Sequence, residues 1–312
     1  MIVLKKGKGI MDRLGAMEAF VLAVETGSFS AVARRLKLGQ PAISKLIAQL
    51  EAQLGSRLLL RSTRGLTPTE AGEAYYLRAR QILDDIREAD ATVAQCRSSL
   101  SGRLRVSAPV TFARLHIIPH LHGLLAAHPN LEIDVLLDDS NVDLIAAGID
   151  VALRLGEQAD SGVVARKLGH CAMRVVGAPA WFATHGTPSS PGELQGCPLV
   201  VYSPKPGMGQ QWHFIQGENQ VTLTVQGRLT VSAAEGMRAA VLAGVGLGIT
   251  SEWMFAPELA SGEVMAILAD WQLPRLDLWA LFPSGRQISA KSQVFLAFVT
   301  ALPVLQMPST DP

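Results

Sequence analysis

Apolar residues recur at three- and four-residue steps soon after the chain begins. Met17, Phe20, Val21 and Val24 would line one face of a helix that closes near Gly27. Ser28 can cap a second helix, from about Ser30 to Leu36, with Val32, Ala33 and Leu36 inward; Lys37-Leu38-Gly39 then makes a tight turn. A third helix opens at Gln40-Pro41, where proline in the first turn forfeits no needed hydrogen bond. Its apolar stripe is Ile43, Leu46, Ile47 and Leu50, so the helical period places Gln40, Pro41, Ser44, Lys45 and Ala48 on the other face. Two short helices joined by a tight turn, the second with a polar and basic face, is the arrangement that sets a recognition helix in the major groove of DNA. Arg34, Arg35 and Lys37 flank it as candidate phosphate contacts. Residues 57 to 67 read as a hairpin, or wing, with Arg64 at its tip beside Gly65. Periodicity alone leaves open a plain three-helix bundle with a solvated basic face.

A longer helix follows. Thr67 as N-cap, Pro68 as first helical residue and Glu70 at the third position form a capping box. Residues 68 to 97 would extend about 45 Å at 1.5 Å per residue. Tyr75, Ala79, Ile82, Ile86, Ala89, Val93 and Cys96 alternate steps of four and three, the spacing of a coiled-coil seam. Such a narrow stripe pairs two chains or packs on its own chain. Pairing is the expectation, because no element of the first seventy residues is long enough to cover it.

Past Gly102 strands alternate with helices, the pattern of a mainly parallel sheet covered by helices. Strands are expected at 104–108, 131–137 and 150–155, with a helix at 111–127 kinked at Pro119 and another at 142–147. A second unit follows, with strands at 198–203, 221–225 and 229–231, a helix at 233–243 and a short strand after Gly246. A strand at 276–281 and a helix at 289–302 close the chain.

Composition changes this picture at one point. The net charge of +1 gives no reason to expect a polyanionic partner, yet it hides a division. Residues 1 to 70 hold 11 Lys and Arg against 5 Asp and Glu, and the rest holds 17 against 22. A basic head on an acidic body fits nucleic-acid binding by one end. Cys96, Cys171 and Cys197 are few and scattered, which argues for a reducing compartment and against disulfides or structural zinc. No apolar run is long enough to span a bilayer, and residues 1–10 lack the apolar core of an export signal, so a cytoplasmic protein is expected.

Several patterns imitate chemistry. Gly244-Val245-Gly246-Leu247-Gly248 follows a helix rather than a strand, the wrong order for a dinucleotide site, and reads as a helix-to-strand turn. His116, His120 and His122 are close, but Pro119 interrupts their geometry and ordinary, partly exposed histidines are expected. Cys96 is expected to pack as a small apolar residue. With no nucleophile elbow, phosphate loop or zinc-protease motif, neither an enzyme nor a cofactor is expected.

The ordered run Phe29-Ser30-Ala31-Val32-Ala33-Arg34-Arg35-Leu36, Gln40-Pro41-Ala42-Ile43-Ser44, Leu50-Glu51, Leu54-Gly55, Arg57-Leu58, Arg61, Thr63-Arg64-Gly65, Leu66-Thr67 and Thr69-Glu70-Ala71-Gly72 closely resembles the N-terminal domain of LysR-type transcriptional regulators. Met11-Asp12-Arg13-Leu14 resembles that family's usual start, so residues 1–10 are expected to be an extension or the product of a misassigned start codon. The likeness continues more loosely to about residue 302. It implies an α/β fold overall: a winged helix-turn-helix at 11–67, a linker and dimerisation helix at 68–101, and an effector-binding domain at 102–302. The last comprises two α/β lobes of periplasmic-binding-protein-like type, about 104–176 with 275–302 and about 177–274, followed by a tail at 303–312. By resemblance, Gln40, Pro41 and Ser44 read bases beside Lys45, while Arg34 and Arg64 meet the backbone and minor groove. Gly39 stands where the family usually has a capping serine, a change costing about a few tenths of a kcal/mol.

The resemblance also places a small-molecule effector in a cleft lined by Val110, Thr111, Arg154, Tyr202, Ser203, Ser232 and Ala233. Arg154 suits an anionic effector, or else is tied to Asp138, Asp139 or Asp143 in a structural salt bridge; the sequence leaves both open. The partners implied are double-stranded DNA with a dyad-symmetric operator, a second chain or a tetramer, and RNA polymerase, without a membrane. A two-lobed solute-binding protein and an enzyme using the cleft are the alternatives. The missing export signal and the winged head argue against the first, and the lack of a catalytic constellation against the second.

Overall fold

The computed structural model describes residues 12–62, 65–93, 100–140, 143–156, 163–203, 210–283 and 288–306. The chain divides into two units, one of residues 1–98 with 145–148 and the other of 99–144 with 149–312.

In the first unit α1 (Arg13–Thr26) is capped by Asp12, whose Oδ1 accepts from the Gly15 N–H at 3.0 Å, and stops at Gly27 in the left-handed region. The Ser28 hydroxyl caps α2 (Phe29–Leu36), and α3 (Gln40–Leu54) starts after Gly39 without a side-chain cap. The hairpin is β1 (Leu59–Ser62) against β2 (Gly65–Pro68). Glu51 fixes its entry, accepting the Leu58 and Leu59 N–H groups on one carboxylate oxygen. Phe20, Ile43, Ile47, Leu50 and Leu58 form the buried centre, so the apolar stripes of all three helices converge as their spacing requires.

Two expectations for the long helix need correction. It begins at Glu70 as α4 (Glu70–Val93), and its cap is Thr69, whose hydroxyl accepts from the Gly72 N–H at 2.9 Å. Thr67 and Pro68 are still in β2, held extended opposite Leu60 and Leu59. The seam also divides. Ala79 is buried with Leu83 in the head's own core and Tyr75 packs there too, because α1 lies along the first turns of α4. Ile82 is 45% exposed and Ile86 half-buried. The side chains of Ala89 and Val93, and the whole of Cys96, lie outside the described residues.

The second unit opens with β3 (Ser101–Ala108). Then α5 (Val110–Phe112) runs into a π-turn at Ala113–Ile117 and a 3-10 turn at Ile118–His120, where Pro119 breaks the helix as expected. Next come α6 (Leu121–Ala127), β4 (Asn130–Leu137), β5 (Val151–Leu155) and β6 (Val164–Cys171). In place of the helix expected at 142–147, residues 144–148 form turns ending at Gly148 with φ +63°; Val142 lies outside the described residues. At Ala172 the chain changes sheet. The second lobe contains β7 (Met173–Gly177), α7 (Pro179–His185), β8 (Leu199–Tyr202), β9 (Gln210–Gln216), β10 (Asn219–Val225) and β11 (Leu229–Val231). It continues through α8 (Ala234–Leu242), β12 (Leu247–Ser251), α9 (Ala256–Ser261) and β13 (Met265–Ile267). The chain then returns to the first lobe with β14 (Leu276–Phe282), α10 (Ala290–Thr300) and α11 (Pro303–Gln306).

The first sheet has the order β4-β3-β5-β14-β6 and the second β11-β8-β12-β7-β13. Both are mixed rather than mainly parallel: β14 runs antiparallel to β5 and β6, and β7 to β12 and β13. β7 and β14 are the strands by which the chain enters the second lobe and returns to the first, so neither joins its sheet through a βαβ crossover. Two boundaries move with this topology. Because β7 hydrogen-bonds in the second sheet, the first lobe gives way at 172 rather than near 176. At the other end Val304 is buried in the first lobe's core, so the fold continues into the expected tail as far as Gln306.

Candidate functional site

Two surfaces gather the candidate residues, one on each unit. On the head, Ile43, Ile47 and Leu50 anchor α3, and Gln40, Pro41, Lys45 and Ala48 are exposed on its other side. Ser44 is half-buried on the same face because Arg61 of β1 donates to its hydroxyl at 3.1 Å. The Arg61 guanidinium also lies 4.9 Å from the centre of the Phe29 ring, so it is held by both α2 and α3. Arg34 and Arg35 project from the last turn of α2, and Lys37 takes a left-handed conformation in the turn beyond. The surface is cationic and solvated, with no side chain over the first N–H groups of α3. Arg64 lies outside the described residues. Sequence reasoning missed Arg61 as a member of this surface, since hairpin register, not helical period, carries it to Ser44.

In the second unit the candidates meet where β4, β3 and β5 end. Arg154 is 5% exposed and donates to the Ser107 hydroxyl at 2.9 Å and the Leu153 carbonyl at 2.7 Å. Among the described residues it forms no direct ion pair, so the structural salt bridge weighed for it is not made. Burial lowers its proton affinity, and the fields of Asp138 and Asp139 partly restore it. Asp139 accepts the Val110 N–H at 2.9 Å, tying the end of β4 to the start of α5. The Ser140 hydroxyl and N–H hold the Asp138 carboxyl below its ordinary range. Beside Val110, Thr111 is buried and its hydroxyl meets no geometric hydrogen bond, though it lies close enough to Glu235 to favour that carboxylate's charged form.

The second lobe supplies the facing wall. Tyr202 is half-buried at the end of β8, and burial followed by the field of Asp139 raises its phenol above the ordinary value. Ser203 is buried, with its N–H on the Val231 carbonyl at 2.9 Å. Ser232 and Ala233 are exposed just before α8, whose first turn carries Glu235. Arg114, on the π-turn of the first lobe, grips Glu235 with two hydrogen bonds of 2.9 and 3.2 Å. Carboxylates from the end of β4, a guanidinium from β5, a phenol from β8 and the start of α8 thus share one region between the lobes. Glu235 carried no signal of its own and Asp139 none beyond being a possible partner of Arg154, because their roles depend on partners 121 and 29 residues away.

The remaining motifs are structural. Gly244 has φ +70°, and the Val245 N–H reaches the Ala240 carbonyl at 3.0 Å, closing α8 in a Schellman turn into β12. A Cβ at Gly246 would fall 2.4 Å from the Pro198 carbonyl oxygen, so the glycines serve a tight helix-to-strand turn. His116 departs from the expected exposure: it is buried, with Nε2 on the Trp253 carbonyl at 2.7 Å, because the π-turn aims it inward. His120 and His122 are exposed. Burial pushes the Cys171 thiol up to about 12, which leaves it inert at neutral pH. Among the described residues no three metal-ligating side chains converge, and no helix is long and apolar enough to cross a membrane.

Comparison with known proteins covers both units. Residues 14–73 match the family of bacterial regulatory helix-turn-helix proteins, lysR family, and residues 97–303 match the LysR substrate binding domain. An uncharacterized HTH-type transcriptional regulator of Haemophilus influenzae is 33% identical over 282 residues, covering 90% of this chain and 97% of that protein. An HTH-type transcriptional regulator of Xanthomonas campestris pv. campestris is 34% identical over 283 residues, 90% of this chain and 82% of its own. Among solved structures, CrgA, a LysR-type transcriptional regulator from Neisseria meningitidis, superposes with a TM-score of 0.60 at 28% identity, over 95% of this chain and 98% of CrgA.

Proposed function

The chain belongs to the LysR family of transcriptional regulators, with a helix-turn-helix DNA-binding domain and an effector-binding regulatory domain, and from this we propose how its residues divide the work. Gln40, Pro41 and Ser44 enter the major groove and read base edges, while Arg34, Lys45 and Arg61 meet phosphates; Arg64 of the wing is assigned to the minor groove. The observation that carries this reading is the exposed polar face of α3, backed by the buried Ile43, Ile47 and Leu50 and braced by Arg61 on Ser44.

Two chains pair through α4 beyond the head, in a dimer or tetramer, and set two heads on a dyad-symmetric operator in the cytoplasm. A small molecule binds between Val110, Thr111 and Arg154 of one lobe and Tyr202, Ser203, Ser232 and Ala233 of the other. It alters transcription by RNA polymerase by stabilising one placement of the heads over another, a coupling typically of about 1–3 kcal/mol.

Fluorescence anisotropy of the full chain on the DNA upstream of its own gene, against a scrambled duplex over a salt series, tests the regulator reading. Tighter binding to the native duplex with a steep salt slope is expected. Equal affinity for the two duplexes would overturn it.

A further inference from the structure

The chemistry of the effector follows from the charges at the ends of β4, β3 and β5, on the footing that this cleft is the effector site. Arg154 is 5% exposed, yet its only hydrogen-bond partners among the described residues are two neutral oxygens, of Leu153 and Ser107. A guanidinium carries five N–H donors, and a buried cation is costly until an anion meets it. Arg154 therefore calls for an anionic group.

A simple anion does not satisfy the rest of the site. Asp138 and Asp139 both act on Arg154 through space without pairing directly with it. Any carboxylate bound by Arg154 would feel their repulsion. The Val110 N–H, a donor that a bare anion could otherwise use, is already taken by Asp139 Oδ1 at 2.9 Å. The other oxygen of Asp139 is left to accept from a ligand. A simple cation fails for the mirror reason, because it would lie in the repulsive field of Arg154 and leave that guanidinium's remaining N–H donors unmet.

We infer that the cleft binds a zwitterion whose carboxylate and ammonium groups sit a few atoms apart, as in an α-amino acid, with the carboxylate on Arg154 and the ammonium on Asp139. Each charge then meets its opposite, and the bound molecule separates Arg154 from the two aspartates as a bridge of alternating sign. Thr111, 4% exposed, offers a neutral hydroxyl beside it, and Tyr202 of the second lobe lies within the field of Asp139. The ligand side chain would lie toward Ser232 and Ala233, both of which are exposed.

Isothermal titration of the full chain with each genetically encoded L-amino acid tests this, followed for any binder by the same skeleton without its ammonium and the same skeleton without its carboxylate. At least one amino acid should bind, and each truncated skeleton should bind about tenfold or more weakly, the usual loss for a charged hydrogen bond. Arg154→Gln and Asp139→Asn should each cost a similar factor. Asp139→Asn keeps an acceptor for the Val110 N–H, and an unchanged circular dichroism spectrum and melting temperature would establish that it folds. Arg154→Lys, which keeps the charge, should recover part of the binding. Failure of every amino acid to bind, or equal binding of the carboxylate-only skeleton, would overturn the inference. Operator affinity is measured apart from this, so either result leaves the regulator reading standing, and a chain indifferent to its operator would sink that reading alone.

Discussion

Arg61 donates to the Ser44 hydroxyl at 3.1 Å while its guanidinium covers the ring of Phe29, so one cation from the wing strand joins α2 to the exposed face of α3. The contact is solvent-exposed, and a cation over an aromatic ring at such a site is worth about 0.5–1 kcal/mol. Its larger consequence is to fix both groups on the face proposed to meet DNA.

Replacing Arg61 with Ala should therefore weaken binding to operator and scrambled DNA alike, and lower the slope of log affinity against log salt by about one. Ser44→Ala should instead narrow the gap between the two duplexes, with little change in slope. Anisotropy titrations at several salt concentrations separate the two. An Arg61→Ala variant with an unchanged salt slope would mean that its guanidinium does not reach phosphate.

Gly72 lies in the first turn of α4, where alanine would ordinarily be better by about 1 kcal/mol. Here a Cβ would fall 2.0 Å from the Leu58 carbonyl oxygen, backbone that is itself held by the Thr69 N–H. The clash should dominate, and Gly72→Ala is expected to destabilise the head by about 1–3 kcal/mol, as overpacking does. Thermal unfolding checks the sign. A melting temperature that rises would mean that α4 and β1 are not so closely apposed.

What could be read in advance depended on how far apart the interacting residues lie. The caps and stripes of α1 to α3 are local, so Ser28, Gln40-Pro41 and the Ile43–Leu50 stripe announced their helices directly. Thr67 and Thr69 are equally good caps by composition, and only the pairing of Thr67 with Leu60 across the hairpin selects Thr69. The edge strand β6 has four exposed residues in succession, so it shows no apolar alternation and its sequence gave no signal. The cleft was the least legible part. Arg154 was identifiable as a candidate, but the Asp139 to Val110 bond that shapes its surroundings joins two strand ends brought together only by the sheet.

The imidazole of His116 is held neutral by burial, which pushes its pKa below the ordinary 6.5 and is only partly offset by the Trp253 carbonyl. Between the folded and unfolded values the unfolded chain binds more protons, so stability rises with pH across that window. The contribution should be complete above about pH 6.5 and lost as pH falls through the window to the depressed value. Asp138 and Glu235, both lowered from ordinary values of 3.8 and 4.5, act in a more acid range. His116→Gln retains a donor for Trp253 and does not titrate. Urea unfolding at a series of pH values should show a shallower slope just below pH 6.5 in this variant, and an identical slope would remove His116 as its source.

The apolar stripe of α4 offers the sharpest division between folding and assembly. Ala79 and Leu83 are buried in the head's core, whereas Ile82 is 45% exposed and Ile86 only half-buried in the single chain. Covering an isoleucine fully is worth about 1.5–3 kcal/mol, and two such residues from each of two chains supply a driving force that the head alone does not use. Replacing Ile82 and Ile86 together with Asp should lower the sedimenting mass while costing the head far less stability than a charge in its core, since Ile82 is exposed and Ile86 only half-buried. Ala79→Asp should do the reverse, unfolding the head by placing an unpaired charge in its core. An unchanged mass in the double variant would refute pairing through this stripe. A double variant that unfolds as Ala79→Asp does would assign both isoleucines to the fold of their own chain.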